Sequence, residues 1–314
     1  TVGMIASYMN EIMALAKQQG LVIRQIRLIQ DNYYTMEGSM RKRTMVGGAL
    51  PVELTVEIDC DLDDAALNAL LLNAIAASPI NGLMRGKLES LFALSKNSCQ
   101  IELGKSKPIE GLLYGDPENK FDGYEAKGSV LNEPIVEPVG VTPKKEIPGG
   151  TSAAGSSLAD EQSRTLNIGG ICTLREDGIK EITQLQYSPH GTSFKLLSEE
   201  AEVNGGVGRA PDANTYISAG VAFCFMTQFG RFVKMLDLDL KEYRVVQDSY
   251  FSLGGASGGT GQAGTAHPLE THVYLETNES DDVAREMLDI SEQTCFLHAF
   301  CRTDMKTKLR VVRL

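Results

Sequence analysis

Residues 219–235, AGVAFCFMTQFGRFVKM, fall on residues 2–18, VGMIASYMNEIMALAKQ, when the chain is shifted by 217 positions. The same shift superposes further anchors without a gap: Leu21 on Leu238, Arg27 on Arg244, Pro51 on Pro268, Glu53 on Glu270, Val56 on Val273, Leu71 on Leu288 and Arg85 on Arg302. Chance similarity seldom holds one register over about ninety residues. The sequence therefore predicts two copies of one structural unit.

The repeated unit has a helix–strand–strand–helix–strand pattern. Apolar residues recur at helical spacing in the two opening stretches, which predicts helices over 2–19 and 219–235. Runs typical of strands and a second helix follow in both copies, over 22–30 and 241–246, 52–58 and 271–276, 63–77 and 281–291, with a last strand near 91 and at 309–312. The fold class predicted is α+β.

The two copies differ in what surrounds them. The first copy is assigned to 1–104 and the second to 163–314. The second copy is longer because three predicted strands, at 168–174, 182–187 and 193–197, precede its repeated part. Between the copies, 105–162 is rich in Pro, Gly, Ser and charge, which predicts a linker. The front sheet of the first copy is expected either from residues that precede it or from another part of the chain.

Composition and charge exclude several partners. The chain has 314 residues, 42% of them apolar and 23% charged, as in a soluble globular protein. A formal net charge of −11 disfavours nucleic acid or an anionic membrane surface as the main partner. No apolar run is long enough to span a membrane, and the first twenty residues lack the basic start of a signal peptide.

Cysteine and histidine spacing gives no sign of a metal or cofactor. The six cysteines lack CxxC spacing, so neither a disulfide framework nor a structural zinc site is expected, and a reducing, cytoplasmic location is favoured. The four histidines show no metal-ligand spacing either: His190, His267, His272 and His298. No cofactor is therefore expected.

Two cysteines of the second copy are replaced together in the first. The shift places Cys224 on Ser7 and Cys295 on Ser78, and each pair is 71 residues apart. A joint replacement indicates that the two thiols work together. Cys224 is predicted in the first turns of a helix, where the dipole lowers a thiol pKa, and Cys295 is predicted to resolve its sulfenic acid as a disulfide. Alternatively, both are small buried core residues.

The surroundings of these cysteines resemble the OsmC/Ohr family of organic hydroperoxide reductases. Residues 218–225, SAGVAFCF, resemble the motif of the family's first cysteine, and Cys295 lies where the family has its second. Phe296 replaces the proline that usually follows, although the first copy has Ser78-Pro79. The resemblance covers 164–314 and the back part of the first copy.

This resemblance implies a fold, an activity and partners. The implied fold has curved antiparallel sheets around two long central helices, and the two copies would form a pseudo-dimer within the chain, which could dimerise further. The implied reaction reduces organic hydroperoxides to alcohols with a dithiol donor such as a lipoyl group. Arg175, in an Arg-Glu-Asp-Gly turn, matches the family's activating arginine. Asn214 stands where the family has its activating glutamate, and Asp212 after Pro211 is the nearest acid.

Other interpretations remain open from the sequence. A catalytically inactive binding or scaffold protein on the same fold is the alternative, because the first copy tolerates loss of both thiols. A Cys–His acyl-transfer site is a weaker one, since His298 follows Cys295 by three positions. Arg231, seven residues after Cys224, could reach toward that cysteine two helical turns on, but it is interpreted as a surface ion-pair residue. The glycine-rich stretch 254–264 is interpreted as a flexible hairpin loop without the features of a phosphate loop.

Overall fold

The structure is a computed structural model of the whole chain. It describes residues 1–111, 113–117, 122–123, 125, 131–147, 161–188, 191–252, 255, 259 and 262–314. Most of the glycine-rich stretch, the 189–190 turn and much of the predicted linker lie outside the described residues.

The described residues form five α-helices and thirteen strands. In chain order they are α1 (Val2–Gln18), β1 (Ile23–Ser39), β2 (Val46–Ala49), β3 (Glu53–Cys60), α2 (Asp64–Ala77), β4 (Ser90–Lys96), β5 (Cys99–Ile101), β6 (Lys107–Pro108), β7 (Val136–Val141), β8 (Glu161–Leu174), β9 (Lys180–Ser188), β10 (Thr192–Ser198), α3 (Ala213–Leu236), β11 (Glu242–Asp248), β12 (Leu269–Glu276), α4 (Asp281–Thr294), α5 (Phe296–Arg302) and β13 (Lys308–Arg313). Two short 3-10 helices span Ile80–Met84 and Glu202–Asn204. The α+β fold class is confirmed.

The helices and strands recur at the predicted shift of 217 positions. Helix α2 maps onto α4 residue for residue, and β3, β4 and the 3-10 helix at Ile80–Met84 map onto β12, β13 and α5. Helix α3 differs from α1 because it begins six residues before the position equivalent to Val2, at an N-cap formed by Asp212.

Both sheets draw strands from both copies. The large sheet has the order β13-β3-β1-β8-β9-β10-β7, with β2 on β1, and the small sheet has the order β11-β12-β4-β5, with β6 on β4. Strand β13 pairs parallel with β3, and β4 pairs parallel with β12, so each copy's last strand lies in the other copy's sheet. Neither copy therefore forms its sheets alone.

The front sheet of the first copy is completed at β1 by strands from later in the chain. This strand pairs antiparallel with β8 from Arg27↔Thr173 to Ser39↔Glu161, so the three strands that precede the second copy continue the first copy's sheet. Strand β7, inside the predicted linker, extends the same sheet by pairing with β10.

Two hydrophobic clusters fill the space between helices and sheets. One surrounds α1 and the large sheet, and the other surrounds α3, α4 and the small sheet with Phe92, Phe225, Phe229 and Phe232. Helix α1 contacts the start of α3 closely at Gly3, where an added Cβ would lie 2.5 Å from the carbonyl oxygen of Ala213. Glycine is required there because the backbones touch. Within the described part of the chain, no helix is long and apolar enough to cross a membrane.

Candidate active site

Helix α3 holds Cys224 well inside the helix. The helix begins at Ala213, so Cys224 is three turns from its N-terminus and half-buried. The effect of the helix dipole is confined to the first turn. The prediction that the dipole lowers the pKa of Cys224 is therefore wrong, and any activation comes from side chains and local N–H groups.

Cys295 lies at the junction between α4 and α5. It ends α4, precedes the first residue of α5 and is fully buried. Its thiol lies close enough to the sulfur of Cys224 for the interaction between them to shift both pKa values. The structure thus brings together the two cysteines that the repeat singles out.

The surroundings of the two thiols shift their pKa values in opposite directions. The hydrogen bond from Cys295 lowers the pKa of Cys224, against the opposing effect of burial, and the N–H groups of Leu297 and Phe296 and the charge of Arg231 act in the same direction. Burial raises the pKa of Cys295, and donation to Cys224 raises it further. Cys224 is therefore the more acidic thiol of the pair and Cys295 the less acidic one.

A cavity of about 590 Å³ opens at Cys224. Its wall is mostly apolar, with side chains from β8, β10, α3 and α5, including Leu166, Ile168, Leu196, Phe223, Phe296 and Leu297. Thr1, Val2 and Gly3 at the start of α1 close another side, so both copies contribute to it. Such a cavity suits an apolar small molecule that reaches the Cys224 sulfur.

Arg231 and Arg164 place positive charge beside this cavity. Arg231 lines the cavity two helical turns after Cys224, is half-buried and donates to Gln228 at 3.3 Å. Burial lowers its pKa, and Cys224 opposes that effect. The pKa of Arg164 is lowered by burial and by Arg231. No carboxylate among the described residues pairs with Arg231, so the interpretation of Arg231 as a surface ion-pair residue is wrong.

Arg175 does not lie at this site. It follows the last residue of β8, roughly 20 Å along the strand from Ile168 in the cavity wall. Its guanidinium donates to Glu133 at 2.6 Å and also contacts Asp177. The structure therefore contradicts the assignment of Arg175 as the arginine that activates Cys224.

Asp212 is the N-cap of α3 and also lies away from Cys224. Its carboxylate accepts from the N–H of Thr215 at 2.7 Å, and it lines a small cavity of about 30 Å³ beside Ser7. The start of α3 meets the serine pair, just as the start of α1 meets the cysteine pair. This crossing of the two helices places Asp212 at the thiol-free site, and the assignment of Asp212 to the activation of Cys224 is wrong.

The serine pair of the first copy reproduces the cysteine pair. Ser7 and Ser78 are both buried, and their hydroxyl oxygens are 2.8 Å apart. The repeat thus keeps a hydrogen-bonded pair at this position and changes only its chemistry.

His298 does not act on either thiol. It is fully buried between the rings of Phe92 and Phe225, and neither ring nitrogen has a hydrogen-bond partner among the described residues. Burial lowers its pKa to about 3. An enclosed imidazole with a lowered pKa and no hydrogen bond from a thiol is too weak and too poorly placed a base for a Cys–His site, so the structure argues against that alternative.

Arg164 is a charged residue near the cavity that no motif in the sequence points to. It shares its face of β8 with Leu166 and Ile168, two and four positions on, both of which line the cavity. Strand alternation could have placed it near an apolar wall, but only the structure shows that α3 brings Arg231 opposite.

One region of the chain matches a known protein family. Residues 206–310 match the family model described as OsmC-like protein. A search of curated proteins finds no match.

Solved structures give partial matches. An OsmC-like protein from Mycoplasma pneumoniae is 14% identical, with 46% of this chain and 95% of that chain covered and a TM-score of 0.32. An organic hydroperoxide resistance protein OsmC from Legionella pneumophila is 14% identical, covering 46% and 96%, with a TM-score of 0.33. An organic hydroperoxide resistance protein from Elizabethkingia anophelis is 14% identical, with 46% of this chain and 94% of that chain covered and a TM-score of 0.33.

The family match includes α3 from its start, α4 and α5, and with them both members of the thiol pair. Residues 206–310 of this chain are therefore similar to OsmC-like proteins.

Proposed function

We propose that this protein is a thiol-dependent peroxidase that reduces organic hydroperoxides to alcohols at Cys224 and Cys295. The observation that carries the proposal is a hydrogen-bonded thiol pair, one member half-buried and activated, at the wall of an apolar cavity. The OsmC-like match over the same residues supports it.

The proposed reaction is a two-electron oxidation of the pair. The Cys224 thiolate attacks the terminal oxygen of the hydroperoxide; the O–O bond breaks and the alkoxide leaves, taking a proton to become the alcohol. Cys224 is then a sulfenic acid. The Cys295 sulfur attacks it, an S–S bond forms and water leaves with the Cys295 proton. A dithiol donor, such as a lipoyl group, reduces the disulfide and becomes a disulfide itself.

Arg231 takes the supporting role in this proposal. Its charge lowers the pKa of Cys224 from within the cavity, so it stabilises the thiolate before reaction and the departing alkoxide during it. The apolar wall favours organic hydroperoxides over hydrogen peroxide because burial of an alkyl or aryl group contributes roughly 25 cal/mol per Å².

The arrangement of the chain fits a pseudo-dimer. We infer that the two copies stand in for two subunits, since each receives the last strand of the other and the start of each long helix borders the other's hydroxyl or thiol pair. In this proposal the first copy is scaffold and the second holds the reactive pair. Six unpaired cysteines fit a reducing compartment such as the cytoplasm.

Turnover of cumene hydroperoxide with dihydrolipoamide as donor tests the function. The parent protein is expected to consume peroxide, Cys224→Ser to lose turnover entirely, and Cys295→Ser to lose it after one equivalent. Cys301→Ser is the matched control, because Cys301 is an equally buried thiol in α5 whose pKa is raised to about 12 by burial. It is expected to keep full turnover. Equal rates for the parent and Cys224→Ser proteins would instead favour the binding or scaffold alternative.

A further inference from the structure

Three side chains with metal-ligating atoms meet on the small sheet, away from the thiol pair. Asp248 of β11 lies directly across from Glu270 of β12, and His272 follows on the same face of β12. One ligand atom from each lies within 4.8 Å of the other two. The spacing of histidines along the sequence gave no sign of this cluster, because strand pairing creates it.

The first copy contains the same pair of acids in the same register. Asp31 of β1 lies across from Glu53 of β3, at the positions equivalent to Asp248 and Glu270. A tyrosine hydroxyl lies near the glutamate in both copies, Tyr33 at 3.4 Å and Tyr250 at 3.5 Å. The two copies can therefore be compared for the cations that lie beside this pair of opposed carboxylates.

Lysines neutralise the acids of the first copy. Lys145 donates to Asp31 at 2.8 Å, and Lys308 of β13 lies 3.6 Å from Glu53. Two like charges directly opposite each other on adjacent strands are destabilising unless a cation lies between or beside them. The two lysines provide those cations.

No lysine or arginine of the described residues pairs with Asp248 or Glu270. Leu91 of β4 stands beside Glu270 where Lys308 of β13 stands beside Glu53. A buried carboxylate oxygen of Asp248, Oδ2, has no hydrogen-bond partner among the described residues. Among the residues that the structure describes, the second copy thus has the acids without the lysines that accompany them in the first.

His272 replaces Thr55 in the second copy and provides a metal ligand. It is 1% exposed, and its Nε2 lies 3.8 Å from Oδ2 of Asp248, too far for a hydrogen bond. Ligands that share a first-row ion are about 3.0–3.4 Å apart when each bond is about 2.1 Å. The three donors therefore need to converge by about 1 Å to hold one ion.

We propose that Asp248, Glu270 and His272 bind one divalent first-row transition metal ion that ties β11 to β12. One imidazole and two carboxylates suit Zn²⁺, Co²⁺ or Mn²⁺, and the ion supplies the positive charge that lysines supply in the first copy. A neighbouring cavity of about 240 Å³, lined by His272, Tyr114 and Ser95, gives water ligands room and the ion a path. The site acts on stability and is independent of the thiol chemistry.

Co²⁺ binding to the chelator-treated full chain tests this site. The parent is expected to bind one Co²⁺ per chain with visible absorption but without the near-ultraviolet sulfur-to-metal band of a thiolate site, and to gain thermal stability on binding. His272→Thr, which copies the first copy's residue, and Glu270→Gln are expected to weaken binding at least about tenfold. Glu53→Gln is the matched control and is expected to bind like the parent.

Three results would overturn the proposal. They are absence of saturable Co²⁺ binding by the parent, unchanged binding by Glu270→Gln, and loss of the signal in Cys224→Ser. The Glu270 variant guards against misfolding of the His272 variant, because the Glu270 side chain is only partly buried.

Discussion

At the scale of single residues, the two sulfur atoms differ in role because of one hydrogen bond. Cys295 is enclosed, so its pKa is raised, and its interaction with Cys224 lowers the pKa of Cys224. The sequence identified both residues through their joint replacement by serine. It could not decide whether Arg231 is their charged neighbour, because a position seven residues along a helix is compatible with either solvent or a cavity.

Two substitutions of Cys295 distinguish its effect as a hydrogen-bond donor from its effect as a second thiol. Cys295→Ala removes the donor and is expected to raise the pKa of Cys224, slowing its alkylation at pH 7 about tenfold, the equivalent of one hydrogen bond of ~1.4 kcal/mol. Cys295→Ser keeps a donor and is expected to alkylate at nearly the parent rate. The pH dependence of iodoacetamide labelling measures both, and equal rates for the two variants would contradict this assignment.

Burial of the His298 side chain destabilises the folded protein, and a substitution can remove this effect. Both of its buried ring nitrogens have no partner among the described residues, so His298→Leu is expected to raise the free energy of unfolding by about 1–2 kcal/mol. The equivalent Asn81 accepts a hydrogen bond from Tyr8 at 2.9 Å, and Asn81→Leu is expected to destabilise. Urea unfolding of both variants measures the difference, and a destabilised His298→Leu protein would contradict the account.

The same histidine makes stability depend on pH. Its folded-state pKa of about 3 lies below the ordinary value of 6.5, so the unfolded chain takes up the proton first as pH falls. Stability from this group is complete above pH 6.5 and is lost between pH 6.5 and 3, at up to about 1.4 kcal/mol per pH unit. His298→Leu is expected to remove that slope in urea midpoints measured across this range. An unchanged slope would show that other groups cause it.

At the scale of helices and strands, most positions follow from hydrophobic periodicity. Helix α2 and strands β3, β9 and β10 lie within one or two residues of their predicted bounds. The start of α3 does not, because the repeat register drew attention to Ala219 while the capping signal lies upstream in Pro211-Asp212. That single difference removes the predicted dipole effect on Cys224.

Asp212 is expected to matter for the helix and not for the thiols. Asp212→Ala removes the cap of α3 and is expected to lower the free energy of unfolding by about 1 kcal/mol, whereas Asp212→Asn preserves most of it. Neither change is expected to move the pH dependence of Cys224 alkylation. A shift of that dependence in Asp212→Ala would restore Asp212 to the activation of the thiol.

At the scale of the whole molecule, strand exchange joins the two copies. The sequence predicts that there are two units, but β1–β8, β3–β13 and β4–β12 pair residues from distant parts of the chain. Periodicity gives the strands and not their partners. Arg175 was misplaced for this reason, since its position depends on which end of β8 meets the cavity.

A cut between the copies is expected to leave them together. A protease site introduced between 148 and 160 and cleaved after folding should give two fragments that co-elute on size exclusion and separate only in denaturant, because four strand ladders of the described residues cross the cut. The uncut variant is the control. Separation of the fragments in native buffer would contradict the shared sheets.

The decisive measurement for the proposed thiol chemistry is mass mapping after one equivalent of cumene hydroperoxide. With alkylation before digestion, we expect one intrachain disulfide between Cys224 and Cys295, while the remaining four cysteines are recovered as alkylated thiols. Recovery of all six as thiols, or a disulfide that excludes Cys224, would contradict it.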